Sequence, residues 1–334
     1  MFDFKINFLI FLILIFSCSS TTDNDINWEE KVKSEILAIP IPQFPKKMYK
    51  LLDYSSEVNS VSIQKVIDLC NSQGGGVVVV PYGEYNDIGK IELKSNVRLH
   101  FEDGTKINFS KDKNDFLPMV LTSWEGNDVY NFSSFIHAES QNNIAITGNV
   151  VLNGNGSKNN WWDWKDKSLP VPMRVENRPD IRPKLLKQNR DNIPVQERKY
   201  GIDSKLRAYF MTLRNCKNIY IKGITLINSP MWNIHPLMSE NIIIDSVTII
   251  SPNNSPNTDG INPESSKNIL IQNSVISVGD DCIAIKSGRN NDGRKRNKPS
   301  ENIYIKDCIF ANGHGGIVIG SELSGGVRNI IIEN

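Results

Sequence analysis

Net charge is nearly absent from this chain: 38 Lys and Arg stand against 37 Asp and Glu, a formal +1. No global field therefore draws it to nucleic acid or to a membrane surface. Histidine is scarce, with four residues, and no Cys and His spacing suggests zinc. Cysteine is also sparse and shows no framework spacing, so Cys70, Cys216, Cys282 and Cys308 are expected as mostly free, buried thiols acting as small hydrophobes. A long apolar run is missing too. The longest, Ile6 to Phe16, follows Lys5 and is too short to span a bilayer, so it reads as the core of a signal peptide over residues 1–17. Ile15-Phe16-Ser17-Cys18 looks like a relaxed bacterial lipobox. Cys18 is thus the candidate lipidation site, and residues 18–45 read as a lipoprotein tether and linker. The expected location is outside the cytoplasm, in the periplasm or on the outer-membrane surface, with plain secretion as the alternative.

What the chain has is a repeat. Asn218-Ile-Tyr-Ile, Asn241-Ile-Ile-Ile, Asn268-Ile-Leu-Ile, Asn302-Ile-Tyr-Ile and Asn329-Ile-Ile-Ile recur at steps of 23, 27, 34 and 27 residues, after an earlier copy at Asn143. Within each copy apolar residues alternate with polar or small ones, the period-2 mark of a strand with one face buried. Short β-branched strands repeating every 20 to 50 residues, with Gly, Pro and Asn at the corners, predict an all-β solenoid of the parallel β-helix type. The Leu-x-x-Leu-x-Leu frame of leucine-rich repeats does not occur. Before the first strand, Val61, Ile63, Val66, Ile67 and Leu69 form a near-helical stripe, predicting a short amphipathic helix over Ser60–Cys70 that covers the open N-terminal end.

Register turns the repeat into chemistry. Superposing Ile234, Ile261, Ile283 and Ile317 puts Trp232, Asp259, Asp281 and Gly315 at one position and Met231, Thr258, Asp280 and His314 beside it. Stacked strands lie about 4.8 Å apart, so Asp259, Asp280, Asp281 and His314 are expected within about two coils of one another. A bend at Gly279-Asp280 lets both adjacent Asp side chains face solvent. A lone Asp in such a corner is an ordinary turn residue. Two adjacent carboxylates with a third one coil away repel each other and raise at least one proton affinity, which favours an acid/base site.

These residues resemble glycoside hydrolase family 28, the polygalacturonases and their relatives, from Gly74-Gly75-Gly76-Val77 onward. Asn257-Thr258-Asp259-Gly260, Gly279-Asp280-Asp281 and Gly313-His314-Gly315 stand in the family's order. The resemblance implies a right-handed, single-stranded parallel β-helix that hydrolyses α-1,4-galacturonosyl linkages in pectin, polygalacturonate or its oligomers by inversion. By the same resemblance Asp280 is the general acid, Asp259 and Asp281 activate the attacking water, and His314 supports the acid. Asn257, Lys286 and Arg289 are candidate substrate contacts. No cofactor or metal is expected, because the Asp cluster lacks the further oxygen ligands of a calcium loop. The expected partner is a pectic polysaccharide or galacturonate oligomer, with membrane contact only through a lipid anchor. The family's Arg-x-Lys motif, which normally follows one coil after Gly-His-Gly, does not occur between Gly315 and Asn334, so the catalytic domain over residues 46–334 is read as truncated at its C-terminus, and the chain as written is expected to be unstable or poorly active.

The repeat breaks down in an insertion over 155–206. Trp161, Trp162 and Trp164, with Arg174, Arg178, Arg182 and Arg190, suit sugar stacking and uronate contact, or equally a solvated cover packed by its tryptophans. A basic loop with Arg289, Arg294, Lys295, Arg296 and Lys298 borders the Asp pair. Long loops beside a cleft point to exo action. Three alternatives stay open: a rhamnogalacturonan or other pectic-backbone hydrolase, a calcium-dependent pectate lyase, and a non-catalytic β-helix for carbohydrate binding or adhesion.

Overall fold

A computed structural model describes residues 27–165 and 181–334. The signal-peptide segment, Cys18, Arg174 and Arg178 lie outside the described residues. The coils stack their strands into three parallel sheets, the third interrupted where one coil contributes only single bridges. The first runs from Met48–Lys50 through Gly76–Val80, Val97–Phe101, Asn142–Thr147, Lys217–Lys222, Glu240–Asp245, Lys267–Gln272 and Ser300–Lys306 to Val327–Glu333. The second runs from Glu84–Ile88 to Ile309–Asn312. The third, which positions the site, passes through Ile91–Glu92, Ile136–Glu139, Met211–Arg214 and Ile234–Leu237, crosses single bridges at Ile261 and Glu264, and continues in Ile283–Ile285 and Ile317–Ile319. This is the right-handed parallel β-helix architecture. Among the described residues no helix is long and apolar enough to cross a membrane.

The register follows from two stacks. Inside, Ile219, Ile242, Ile269 and Ile303 pair in sequence and are essentially buried. At the corner before them, Asn96, Asn143, Asn218, Asn241, Asn268, Asn302 and Asn329 each adopt a left-handed backbone. From Asn143 onward each side-chain amide donates to the side-chain carbonyl of the Asn one coil earlier, at 2.9–3.1 Å. Asn tolerates that backbone best among residues other than Gly. The same residue therefore makes the turn and ties the coils together.

The capping helix forms over Ser60–Ser72, with Asn59 and Ser62 in a reciprocal cap and Ile63, Val66, Ile67 and Cys70 buried on the first coils. The tether reading needs correction for part of its length. Trp28–Leu37 is a second helix whose Val32 and Ile36 pack on Ile243, Leu270, Tyr304 and Ile331, on the outer face of the first sheet. Those four occupy the outward positions of the alternation, where a solvated sheet carries polar residues. Their apolar character was the signal that something covers them. Cys70, Cys216 and Cys282 are free and buried, and Cys308 is free and half-buried.

Candidate active site

The bridges Ile234–Ile261 and Ile261–Ile283 and the pair Ile283–Ile317 reproduce the predicted register. Asp259, Asp280 and Asp281 consequently converge, with one carboxylate oxygen from each lying within 4.8 Å of the others. His314 stands over Asp280, its Nδ1 3.4 Å from Asp280 Oδ1, while its backbone N–H donates to the Asp280 carbonyl at 2.9 Å. The imidazole is 70% exposed, so it faces incoming ligand. The chain does bend at Gly279-Asp280, although glycine is needed there for a different reason. Gly279 has no left-handed backbone; a Cβ on it would lie 2.3 Å from the Ser255 carbonyl oxygen. At Gly313 a Cβ would lie 2.8 Å from the Asp280 carbonyl oxygen. Both motif glycines let neighbouring coils approach closely enough to gather the carboxylates.

Surroundings differentiate the three acids. Asp259 is buried and accepts from Asn262 Nδ2 at 2.9 Å, with Lys286 Nζ at 3.8 Å. Burial pushes its proton affinity up, Lys286 opposes, and the Asp280 charge adds to the rise, leaving a pKa of about 7. Asp281 is also raised, by burial and then by Asp280. One cation thus serves three close carboxylates, and the cluster keeps a proton where isolated Asp side chains would have lost theirs. Among the described residues this is also the group close enough to share a metal ion.

On the side of earlier coils the site is closed. Trp232 and Tyr209 hold the register position of Asp259 one and two coils earlier, stacked 4.8 Å apart with ring planes 5° from parallel. Both are buried in a cluster with Trp124, Val129, Leu185 and Leu206. Trp124 and Val129 come from the antiparallel hairpin Val120–Trp124/Asn127–Asn131, and Leu185 from the helix Arg182–Arg190 within the insertion.

The comparisons with known proteins follow this geometry. The profile described as Glycosyl hydrolases family 28 matches residues 196–334. The solved structure of a hyperthermoactive exopolygalacturonase from Thermotoga maritima superposes with a TM-score of 0.83 and 40% identity, covering 92% of this chain and 70% of that one. The chain belongs to glycosyl hydrolase family 28. It is 30% identical over 335 residues to an exo-poly-alpha-D-galacturonosidase from Dickeya chrysanthemi, covering 94% of this chain and 52% of that protein. To a probable polygalacturonase from Vitis vinifera it is 30% identical over 271 residues, covering 79% and 48%. It thus spans about half the length of these curated relatives.

For this family 28 member the remaining candidates separate. Asn257 lies at the cluster, its Nδ2 3.4 Å from Asp280 Oδ2. Lys286 is not an open sugar contact. It is buried, donates to Glu322 at 2.8 Å and to the Gly320 carbonyl at 2.9 Å, and lies 4.8 Å over the Trp232 ring. Its charge acts inward on Asp259. Arg289, partly exposed, also pairs with Glu322. In the neighbouring basic loop Arg296 turns inward to Glu264 and Asp128. The stacking role for Trp161, Trp162 and Trp164 is likewise corrected, because all three are buried in the main core, Trp161 against Phe116, Phe132 and Phe135. Arg182 pairs with Glu125 at the hairpin tip. Sequence reasoning missed Arg207, which is fully buried. It donates to the Pro230 and Pro256 carbonyls and to Asn257 Oδ1 at 2.7–2.8 Å, holding two turns of the site together. Nothing in its sequence neighbourhood marks it. Glu322 was missed as well, though its position eight residues after His314 in the next turn was a usable hint.

Proposed function

We propose that the chain hydrolyses α-1,4-galacturonosyl linkages of polygalacturonate or its oligomers, removing residues from a chain end. The observation that carries this reading is the set of three carboxylates with oxygens within 4.8 Å and one buried lysine among them. Such a cluster supplies both halves of glycoside hydrolysis, a retained proton for the leaving oxygen and an ionised carboxylate for water. Asp280, beside the exposed His314, hands the proton to the glycosidic oxygen. The proton it hands over is the one the cluster shares, drawn from Asp259, so that Asp259 and Asp281 are left ionised to hold and deprotonate the water. Asn257 and His314 position the sugar, and Arg289, the partly exposed cation on Glu322, takes its carboxylate. End-on action is supported by the wall of Trp232, Tyr209, Trp124 and Leu185, which buries the surface a polymer would follow past Asp259.

The 4.8 Å spread is between nearest oxygens and is not the separation of the carboxyl groups, roughly 6.5–9.5 Å in an inverting pair. Inversion is proposed from the family resemblance, with a water shared by two bases, and it is directly testable. Hexagalacturonate is incubated with the protein, with and without any sequence encoded beyond Asn334, and products are followed by chromatography and proton NMR. Galacturonate released singly, first as the β-anomer, supports the reading. Random-length products overturn end-on action, and initial α-anomer overturns inversion. A chelator-sensitive, unsaturated product would make it a lyase; turnover only of rhamnogalacturonan would change the backbone.

The reading includes export. The Ile6–Phe16 run and Cys18 support a lipid-anchored protein, so Cys18→Ser should shift it from the membrane to the soluble fraction, and an unchanged distribution would reject the anchor.

A further inference from the structure

A second cavity, of about 390 Å³, lies on the outer side of the third sheet near its N-terminal end. Lys90, His137, Glu139 and Arg214 line it from the sheet, and Val120 and Leu121 from the base of the hairpin. His137 pairs in register with Thr212, Thr212 with His235, and the next coil carries Asp259. Three coils, roughly 14 Å at about 4.8 Å each, therefore separate it from the carboxylate cluster. The outward side chains between them, Thr212, His235 and Glu264, are sealed from solvent. This cavity is not an extension of the cleft.

Several of its polar atoms lack partners. His137 is 5% exposed and its Nδ1 has no hydrogen-bond partner; the same holds for Arg214 Nε and Glu139 Oε2. Lys90 lies beside a carboxylate, Glu92, that is already engaged by Lys94 at 2.6 Å. Buried polar atoms are nearly always satisfied, and several orphans around one cavity point to an occupant. Burial lowers the His137 pKa to about 4, so above that pH the ring is a neutral hydrogen-bonding group and not a cation. The lining then selects the ligand. Inorganic phosphate would bring up to two negative charges and no apolar face against Glu139, Glu92, Val120 and Leu121, and a neutral sugar would leave the Lys90 ammonium unmatched. Val120 and Leu121 suit the C–H face of a pyranose.

We propose that this cavity binds a monosaccharide-sized sugar acid, with its carboxylate on Lys90 and its hydroxyls on His137 and the Glu139–Arg214 pair. The site goes beyond the hydrolytic reading and does not depend on it. The test is calorimetric titration of the full chain with D-galacturonate, beside D-galactose and inorganic phosphate. Two classes of galacturonate site are expected when the cleft also binds, and one when it does not. In either case Lys90→Met weakens one class about tenfold, the loss of one charge-assisted hydrogen bond, and Leu121→Trp, which fills the cavity, abolishes the same class. Both variants are checked for an unchanged Tm. Phosphate binding as tight as galacturonate would overturn the ligand class. Galacturonate binding indifferent to both variants, or a soaked crystal with only water in the cavity, would overturn the site.

Discussion

Asp259 and Glu264 are buried carboxylates five residues apart on one coil, and they have opposite fates. Burial works against the charge on both. At Glu264 it is outweighed by Arg296 and by the hydrogen bond to His235, and the pKa falls to about 2. Ser123 donates a further hydrogen bond at 2.8 Å. At Asp259 the only opposing cation is Lys286, at 3.8 Å and shared with Glu322, helped by one hydrogen bond from Asn262, while Asp280 and Asp281 push the other way, and the pKa rises to about 7. Cation supply, and not depth, separates a carboxylate that fastens the hairpin to the sheet from one that exchanges protons. Mutation of each should therefore fail in a different way.

The largest effect is expected at the cluster. Asp280→Asn should lower kcat by about 10²–10⁴-fold, the usual worth of a general acid, with an unchanged melting curve; a loss below tenfold would shift the acid role elsewhere. Glu264→Gln should do the reverse. It leaves Arg296 with Asp128 alone, and breaking such a buried pair costs roughly 3–5 kcal/mol, read as a lower denaturation midpoint. Its stabilising share is present above the ordinary glutamate pKa and lost as pH falls toward about 2, so wild type and variant should converge in acid.

Asp259→Asn carries the opposite sign. Between about pH 4 and 7 the native state holds a proton that the unfolded chain has released, so wild-type stability declines with rising pH through that window. The variant escapes this and should be more stable at pH 8 by on the order of 2 kcal/mol, with no gain near pH 3, while losing activity. Equal stability at pH 8 would mean that the cluster stores no such cost. The smallest effect is expected far from both acids. Asn241→Gly keeps the left-handed turn but removes the ladder bonds to Asn218 and from Asn268, a loss of about 1–2 kcal/mol visible in urea titration.

The same contrast explains what was legible in the sequence. Repeating Asn-Ile-x-Ile strings reveal coil and register, because one residue per turn both bends and ties the chain, and register alone brings Asp259, Asp280, Asp281 and His314 together. Lys286 and Arg296 were not separable from substrate contacts by sequence. Their partners lie one coil away, as Glu322 and Glu264 do, or on the hairpin, as Asp128 does. Nor do Trp161, Trp162 and Trp164 advertise burial, since their packing depends on Phe116 and Phe135 from other coils. The helix Trp28–Leu37 was readable from the apolar outward positions Ile243 and Leu270, had they been set against the inward ones.

The most direct test is carbon NMR titration of the aspartate carboxyls, in the native chain and in Asp259→Asn. One carboxyl titrating near pH 7 and absent from the variant is the predicted result. If every aspartate instead titrates below about pH 5, the cluster holds no proton at working pH, and the acid/base account of this site is wrong.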